Sequence, residues 1–110
     1  MDIMPEVYLN GNYLRDTEAL VSVFDRGFLF ADGVYEVTLV LDGKLVDFAG
    51  HMRRLRRSLA QLGMSFASND DELLGIHREL VRQNDIREGL VYLQVTRGGD
   101  RRARLSLPPR

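Results

Sequence analysis

The sequence predicts an α+β domain, a mainly antiparallel sheet with two helices packed on one face as a two-layer sandwich. Three observations predict it. Two tight-turn dipeptides, Asn10-Gly11 and Asp42-Gly43, lie between strand-like segments and mark hairpins. The apolar period then lengthens, with Met52, Leu55, Leu59 and Leu62 at the spacing of one helix face. After a second helical stretch, residues 89–96 return to strand-forming residue types.

Taken in order, residues 6–9 and 12–15 form the arms of the first hairpin. Residues 19–23 are a short apolar segment, extended or buried. Residues 25–32 hold two glycine-adjacent turns around Phe28-Leu29-Phe30. Residues 33–41 are rich in Val, Tyr, Thr and Leu and read as a strand. Both of its faces are largely apolar, which predicts cover on both sides. Asp42-Gly43 returns the chain through residues 44–47. The first helix ends at Gly63, a natural C-cap. Asn69 or Asp70 caps the second helix, whose apolar face holds Leu73, Ile76, Leu80 and Val81. Asp70, Asp71 and Glu72 suit its N-terminal dipole. Beyond Arg97 the pattern fades into glycine, arginine and proline.

At 110 residues the chain has length for one domain. It would bury roughly two-thirds of its unfolded surface. Hydrophobic residues make up 45% of it, within the globular range. It has no cysteine, which excludes a disulfide framework, a thiolate nucleophile and cysteine-bound zinc, and fits a reducing cytoplasm. Residues 1–5 lack the features of a signal peptide. No apolar run approaches the ~20 residues of a spanning helix. With a net charge of −1 there is no global field for nucleic acid. A cytoplasmic protein binding neither nucleic acid nor membrane is expected. Fourteen of the fifteen basic residues are arginine, so a side-chain amine nucleophile could come only from Lys44.

Several groups could carry chemistry. Gly27 and Gly33 can bring backbone close to a ligand. Tyr35 stands where the strand begins, and its phenol could donate to a carboxylate, although a core tyrosine with its hydroxyl at the surface is the commoner arrangement. Arg53, Arg54, Arg56 and Arg57 cluster on the first helix, and arginine suits phosphate because its planar fork makes paired charged hydrogen bonds. Arg56 lies nearest the apolar stripe, Arg57 opposite it and Arg54 between, so periodicity leaves the choice among them open. Arg97, Arg101, Arg102 and Arg104 form a second basic group in a glycine-containing loop, able to clamp a carboxylate or to remain solvated. Without interleaved aromatics it is a poor base-stacking surface. His77 projects from the second helix's apolar face as a core residue, and His51 begins the first helix and can serve its N-terminus. No metal-ligand spacing, Walker loop or dinucleotide fingerprint is present.

Three segments together resemble the fold-type IV pyridoxal-phosphate enzymes, a group of D-amino-acid aminotransferases, branched-chain aminotransferases and aminodeoxychorismate lyases. They are D-R-G-F-L-F-A-D-G-V-Y-E at 25–36, H-M-R-R-L at 51–55 and Y-L-Q-V-T-R-G at 92–98. Their order and spacing match the small N-terminal domain of those enzymes. The likeness is closest to the D-amino-acid aminotransferases. It implies transfer of an amino group between an amino acid, D-configured, and a 2-oxo acid, with pyridoxal 5'-phosphate as cofactor and a homodimeric assembly. The family pattern H-x-x-R-L gives the cofactor phosphate to its arginine, here Arg54. The tyrosine of D-G-V-Y-E contacts the substrate carboxylate in that subfamily, which implies this role for Tyr35. An R-x-H pair after T-R-G reaches the same carboxylate across a dimer interface. Here Arg102 matches the arginine and Arg104 stands in the histidine's place.

The resemblance thus implies a small domain at 1–97, and a substrate loop and start of an interdomain linker at 98–110. The C-terminal catalytic domain of the family, with its Schiff-base lysine, is expected downstream of Arg110. Lys44 follows a hairpin turn and is expected to be an ordinary amine, so the 110 residues alone are expected to be inactive and to bind no cofactor covalently. Two other readings stay open. One is a fragment of a branched-chain aminotransferase or aminodeoxychorismate lyase, and the other is a non-catalytic binding or dimerisation module.

Overall fold

A computed structural model describes residues 5–99 of the chain. Its fold class is α+β, as the sequence predicts. β1 (Glu6–Leu9) and β2 (Asn12–Arg15) form one antiparallel pair, with Glu6 opposite Arg15 and Leu9 opposite Asn12. Asn10 and Gly11 between them have φ of 49° and 98°. Two successive left-handed residues are what a two-residue hairpin on twisted strands requires. A 3-10 turn, Asp16–Glu18, follows. Next come α1 (Arg26–Phe30), β3 (Gly33–Leu41), β4 (Lys44–Leu45), α2 (Phe48–Gln61), α3 (Asp70–Gln83) and β5 (Gly89–Thr96). The second sheet has the order β4-β3-β5, so the two hairpins belong to separate sheets rather than one.

Two compact units divide the chain. One comprises residues up to 20 with 38–48 and 68–91. Its core is Val40, Val81 and Val91, joined by Leu45, Leu80 and Ile86. Burying a side chain of this size contributes about 1.5–3 kcal/mol. Asn69 caps α3, its side chain accepting from Glu72 N at 2.8 Å. At the other end Asn84 accepts from Glu6 N at 2.8 Å and donates to Glu6 O at 3.0 Å, which clips the first hairpin to α3. His77 is buried, its Nδ1 donating to Leu73 O at 2.7 Å, with its ring edge-on to Phe48, so it is a core residue of α3.

The other unit comprises residues 21–37, 49–67 and those from 92 on. Met52, Leu55 and Leu59 bury one stripe of α2. Leu62, expected in that stripe, lies past the helix end and is 40% exposed. Gly63, at φ 64°, terminates the helix, with Met64 N donating to Leu59 O. Among the described residues no helix is long and apolar enough to cross a membrane.

One local expectation is narrowed here and two are corrected. Leu20, Val21 and Val23 are 60–80% exposed, so of the two alternatives for residues 19–23, extended or buried, burial is excluded, while Ala19 is extended at φ −89° and ψ 97°. Residues 26–30 are a short helix rather than a pair of turns, because Asp25 accepts from Gly27 N at 2.8 Å and caps it. β3 is covered on one face only. Glu36, Thr38 and Val40 are buried, while Tyr35, Leu39 and Leu41 are exposed.

Candidate active site

The residues of the D-R-G-F-L-F-A-D-G-V-Y-E segment meet α2 and the end of β5 within one unit. Strand alternation sends Tyr35 and Glu36 to opposite faces of β3. Glu36 enters the interior and is 3% exposed. A buried carboxylate needs partners, and α2 supplies two. His51 Nδ1 lies 2.8 Å from Oε1 and Arg54 Nε lies 3.2 Å from Oε2. A carboxylate that also holds Arg54 accepts, so Nδ1 carries the hydrogen that His51 donates. The i, i+3 spacing places both donors on one side of the helix.

His51 therefore does not cap α2, which begins three residues earlier at Phe48. It braces Glu36 instead. Neither residue has a site role in the sequence reading. The signal was nonetheless there, an acid on the strand and a basic pair at i, i+3 on the following helix.

Arg54 is held by one end and open at the other. Its side chain is 64% exposed, and among the described residues Nε–Glu36 is its sole hydrogen bond. The two Nη groups remain available as a parallel fork, the geometry that suits two oxygens of a phosphate. Pyridoxal phosphate, which the resemblance implies, fits this donor set through its phosphate. Arg56 is engaged differently, its guanidinium lying 5.7 Å from the centroid of the Phe66 ring.

Tyr35 is not a core tyrosine. It is 62% exposed and stacks on Tyr92, with ring centroids 5.6 Å apart and planes 11° apart. Parallel-displaced packing of this kind holds an exposed ring in place. Its hydroxyl makes no hydrogen bond among the described residues and so keeps its donor. No hydrogen bond or ring contact joins Tyr35 to Arg54. Arg102 and Arg104 lie outside the described residues. Lys44 is exposed.

Arg97 is not a solvated loop residue. Its Nε donates to Asp32 Oδ2 at 2.8 Å and its Nη2 to Leu62 O at 2.8 Å. Arg26 Nε reaches the same Asp32 oxygen at 3.1 Å. Burial works to raise the Asp32 carboxyl, but hydrogen bonds and charge from Arg97 and Arg26 outweigh it and hold the group below the usual carboxylate range. The glycines on either side are there for contact. A Cβ on Gly27 would stand 2.3 Å from Thr96 Cγ2, and one on Gly33 would stand 2.6 Å from Val95 O. With Gly33 beside Thr96 and Tyr35 beside Tyr92, β3 and β5 run in opposite directions.

Known proteins resemble this chain in sequence and in fold. D-alanine aminotransferase of Staphylococcus aureus (strain MSSA476) is 40% identical over 95 residues, covering 86% of this chain and 34% of that protein. D-alanine aminotransferase of Bacillus licheniformis is 41% identical over 93 residues, covering 84% of this chain and 33% of its own. The chain thus spans about a third of the length of the curated relatives it matches. Among solved structures, the branched-chain amino acid aminotransferase from Escherichia coli superposes with a TM-score of 0.81 at 22% identity, over 86% of this chain and 34% of that one. At that identity the likeness speaks for the fold. The branched-chain aminotransferase of Thermoproteus uzoniensis, solved with norvaline, gives a TM-score of 0.70 at 27% identity, over 83% and 32%. The pattern of the family described as Amino-transferase class IV matches residues 33–110, well over half of the chain, and the chain belongs to that family.

Proposed function

We propose that residues 1–97 are the small domain of a pyridoxal-phosphate-dependent aminotransferase, with 98–110 its substrate loop and the start of a linker to a second domain. The observation that carries this reading is the Arg54 guanidinium, anchored by Nε on buried Glu36 with its Nη fork exposed. Arg54 holds the cofactor phosphate. The Tyr35 hydroxyl, supported by the Tyr92 ring, donates to the substrate carboxylate, and Arg102 and Arg104 supply its countercharge. Pyridoxal phosphate, when bound, supplies an electron sink for the substrate's α-carbon. This domain's part is positioning, which acts on rate as well as affinity.

The substrates are an amino acid, D-configured, and a 2-oxo acid. The relatives named D-alanine aminotransferases, at about 40% identity, support that choice. The assembly is a cytoplasmic homodimer. The 110 residues alone do not transaminate, because their one lysine, Lys44, is exposed beside a turn where nothing would activate it.

The test is direct. The full-length protein, supplied with pyridoxal phosphate and a 2-oxo acid acceptor, is expected to convert D-alanine to pyruvate. Tyr35→Phe is expected to raise KM for D-alanine about tenfold, the cost of one hydrogen bond to a charged group. Turnover of branched L-amino acids alone would favour the branched-chain reading, for which the likeness to the Thermoproteus uzoniensis enzyme speaks. No turnover of any amino acid would overturn both.

A further inference from the structure

Glu36 divides its two carboxylate oxygens between two donors of α2. His51 Nδ1 stands 2.8 Å from Oε1, and Arg54 Nε donates to Oε2 at 3.2 Å. Among the described residues the carboxylate has no other partner. The two bonds are unequal. The first lies toward the short end of the range for an N–H to oxygen bond and the second at its long end. His51 is also the better-buried partner, with a side chain 22% exposed against 64% for Arg54. An imidazole has fewer rotatable bonds to order than a guanidinium arm. The plane of the buried carboxylate is therefore set by His51, and Arg54 takes the oxygen that is left.

An arginine beside a carboxylate frequently pairs through two parallel N–H to oxygen bonds, one to each oxygen. Such pairing here would draw Nε and one Nη of Arg54 onto Glu36 and leave no complete fork exposed. The contact is instead single, through Nε alone, and both Nη groups stay open. The occupant of Oε1 makes the difference. The His51 ring makes this one hydrogen bond among the described residues.

We infer that His51 is a positioning residue for the cofactor phosphate. By occupying Oε1 of Glu36 it keeps Arg54 from closing onto that carboxylate, and so keeps the Nη fork free for phosphate oxygens. The inference rests on the assignment of Arg54 to the phosphate of pyridoxal phosphate. It gives the histidine of H-M-R-R-L a task distinct from that of the arginine. Arg54 binds, and His51 holds the competing acceptor away.

The test compares pyridoxal phosphate with pyridoxal, which lacks the phosphate, by equilibrium dialysis of the full-length protein. His51→Leu puts a methyl group where Nδ1 stands and lets Glu36 turn to Arg54. It is expected to bind pyridoxal phosphate about tenfold more weakly, the worth of one hydrogen bond to a charged group, with pyridoxal affinity within about twofold. His51→Asn returns an amide N–H to the same place and is expected to restore pyridoxal phosphate binding to within about threefold. In an Arg54→Ala background, His51→Leu is expected to add no loss. An equal loss for both ligands means a general packing role and overturns the inference. So does unchanged pyridoxal phosphate affinity in His51→Leu where Arg54→Ala weakens it, or no recovery in His51→Asn. Should His51→Leu not fold, His51→Ala takes its place under the same criteria. If Arg54→Ala itself leaves both affinities unchanged, the phosphate assignment falls, and the inference with it.

Discussion

Arg54 donates its Nε–H to Glu36 across 3.2 Å, from a side chain that is 64% exposed to one that is 3% exposed. The pair joins a buried anchor to an open guanidinium. Glu36→Gln keeps the shape but gives the side chain one acceptor oxygen where two donors converge. The Arg54 fork should then lose its fixed direction. We expect about tenfold weaker affinity for pyridoxal phosphate, and a larger loss for Arg54→Ala. The double variant should be no weaker than Arg54→Ala alone, because both act through one guanidinium. Equilibrium dialysis of the full-length protein measures all three. Additive losses would mean that Glu36 acts by another route.

Gly27 lies against Thr96 with no space for a side chain. Gly27→Ala would bring its Cβ to 2.3 Å from Thr96 Cγ2 and 2.9 Å from Thr96 Cβ. Overpacking of this kind costs about 1–3 kcal/mol. Adding Thr96→Ser removes the nearer atom and should recover part of the loss. Gly33→Ala meets the main-chain oxygen of Val95 at 2.6 Å, which no side-chain substitution relieves. Thermal unfolding of the single and double variants separates the two cases.

Asp32 links stability to acid pH. Its folded pKa lies below its unfolded value of 3.8. The stability from its pairs with Arg97 and Arg26 is therefore complete above about pH 5 and is lost as pH falls through about 4 toward the folded value. Asp32→Asn should flatten that acid limb. It should also lower stability at pH 7 by about 3 kcal/mol, because a buried charge pair loses one member. Urea unfolding of both proteins between pH 3 and pH 7 gives the comparison.

Asn69 caps α3 through one hydrogen bond, to Glu72 N at 2.8 Å. Asn69→Ala should cost about 1 kcal/mol. The urea midpoint should fall with the slope unchanged, since the surface exposed on unfolding is the same. A change in slope would point to a different unfolded or native ensemble.

Much of the frame is legible in the sequence because its causes are local. The bounds of β3 and β5 follow from residue types and from the turns that flank them. Asn10-Gly11 and Asp42-Gly43 adopt the left-handed conformations that hairpins demand. Asn69 caps the helix it precedes. Arg54 could be picked out from its neighbours only through the resemblance, since a helical wheel treats three arginines nearly alike.

Other features depend on where distant residues meet. Asp25 caps α1 and so turns an expected pair of turns into a helix. Glu36 finds its partners fifteen and eighteen positions later on α2. Arg97 leaves solvent for Asp32, sixty-five positions earlier. An outer face of β3 rich in Tyr and Leu remains exposed, contrary to its composition. Turn chemistry and apolar period are written in adjacent residues, so the chain alone determined its main strands, its two long helices and its family. The direction of the Arg54 fork and the exit of the chain beyond β5 are set by charges far apart in sequence, which only folding brings within hydrogen-bond distance.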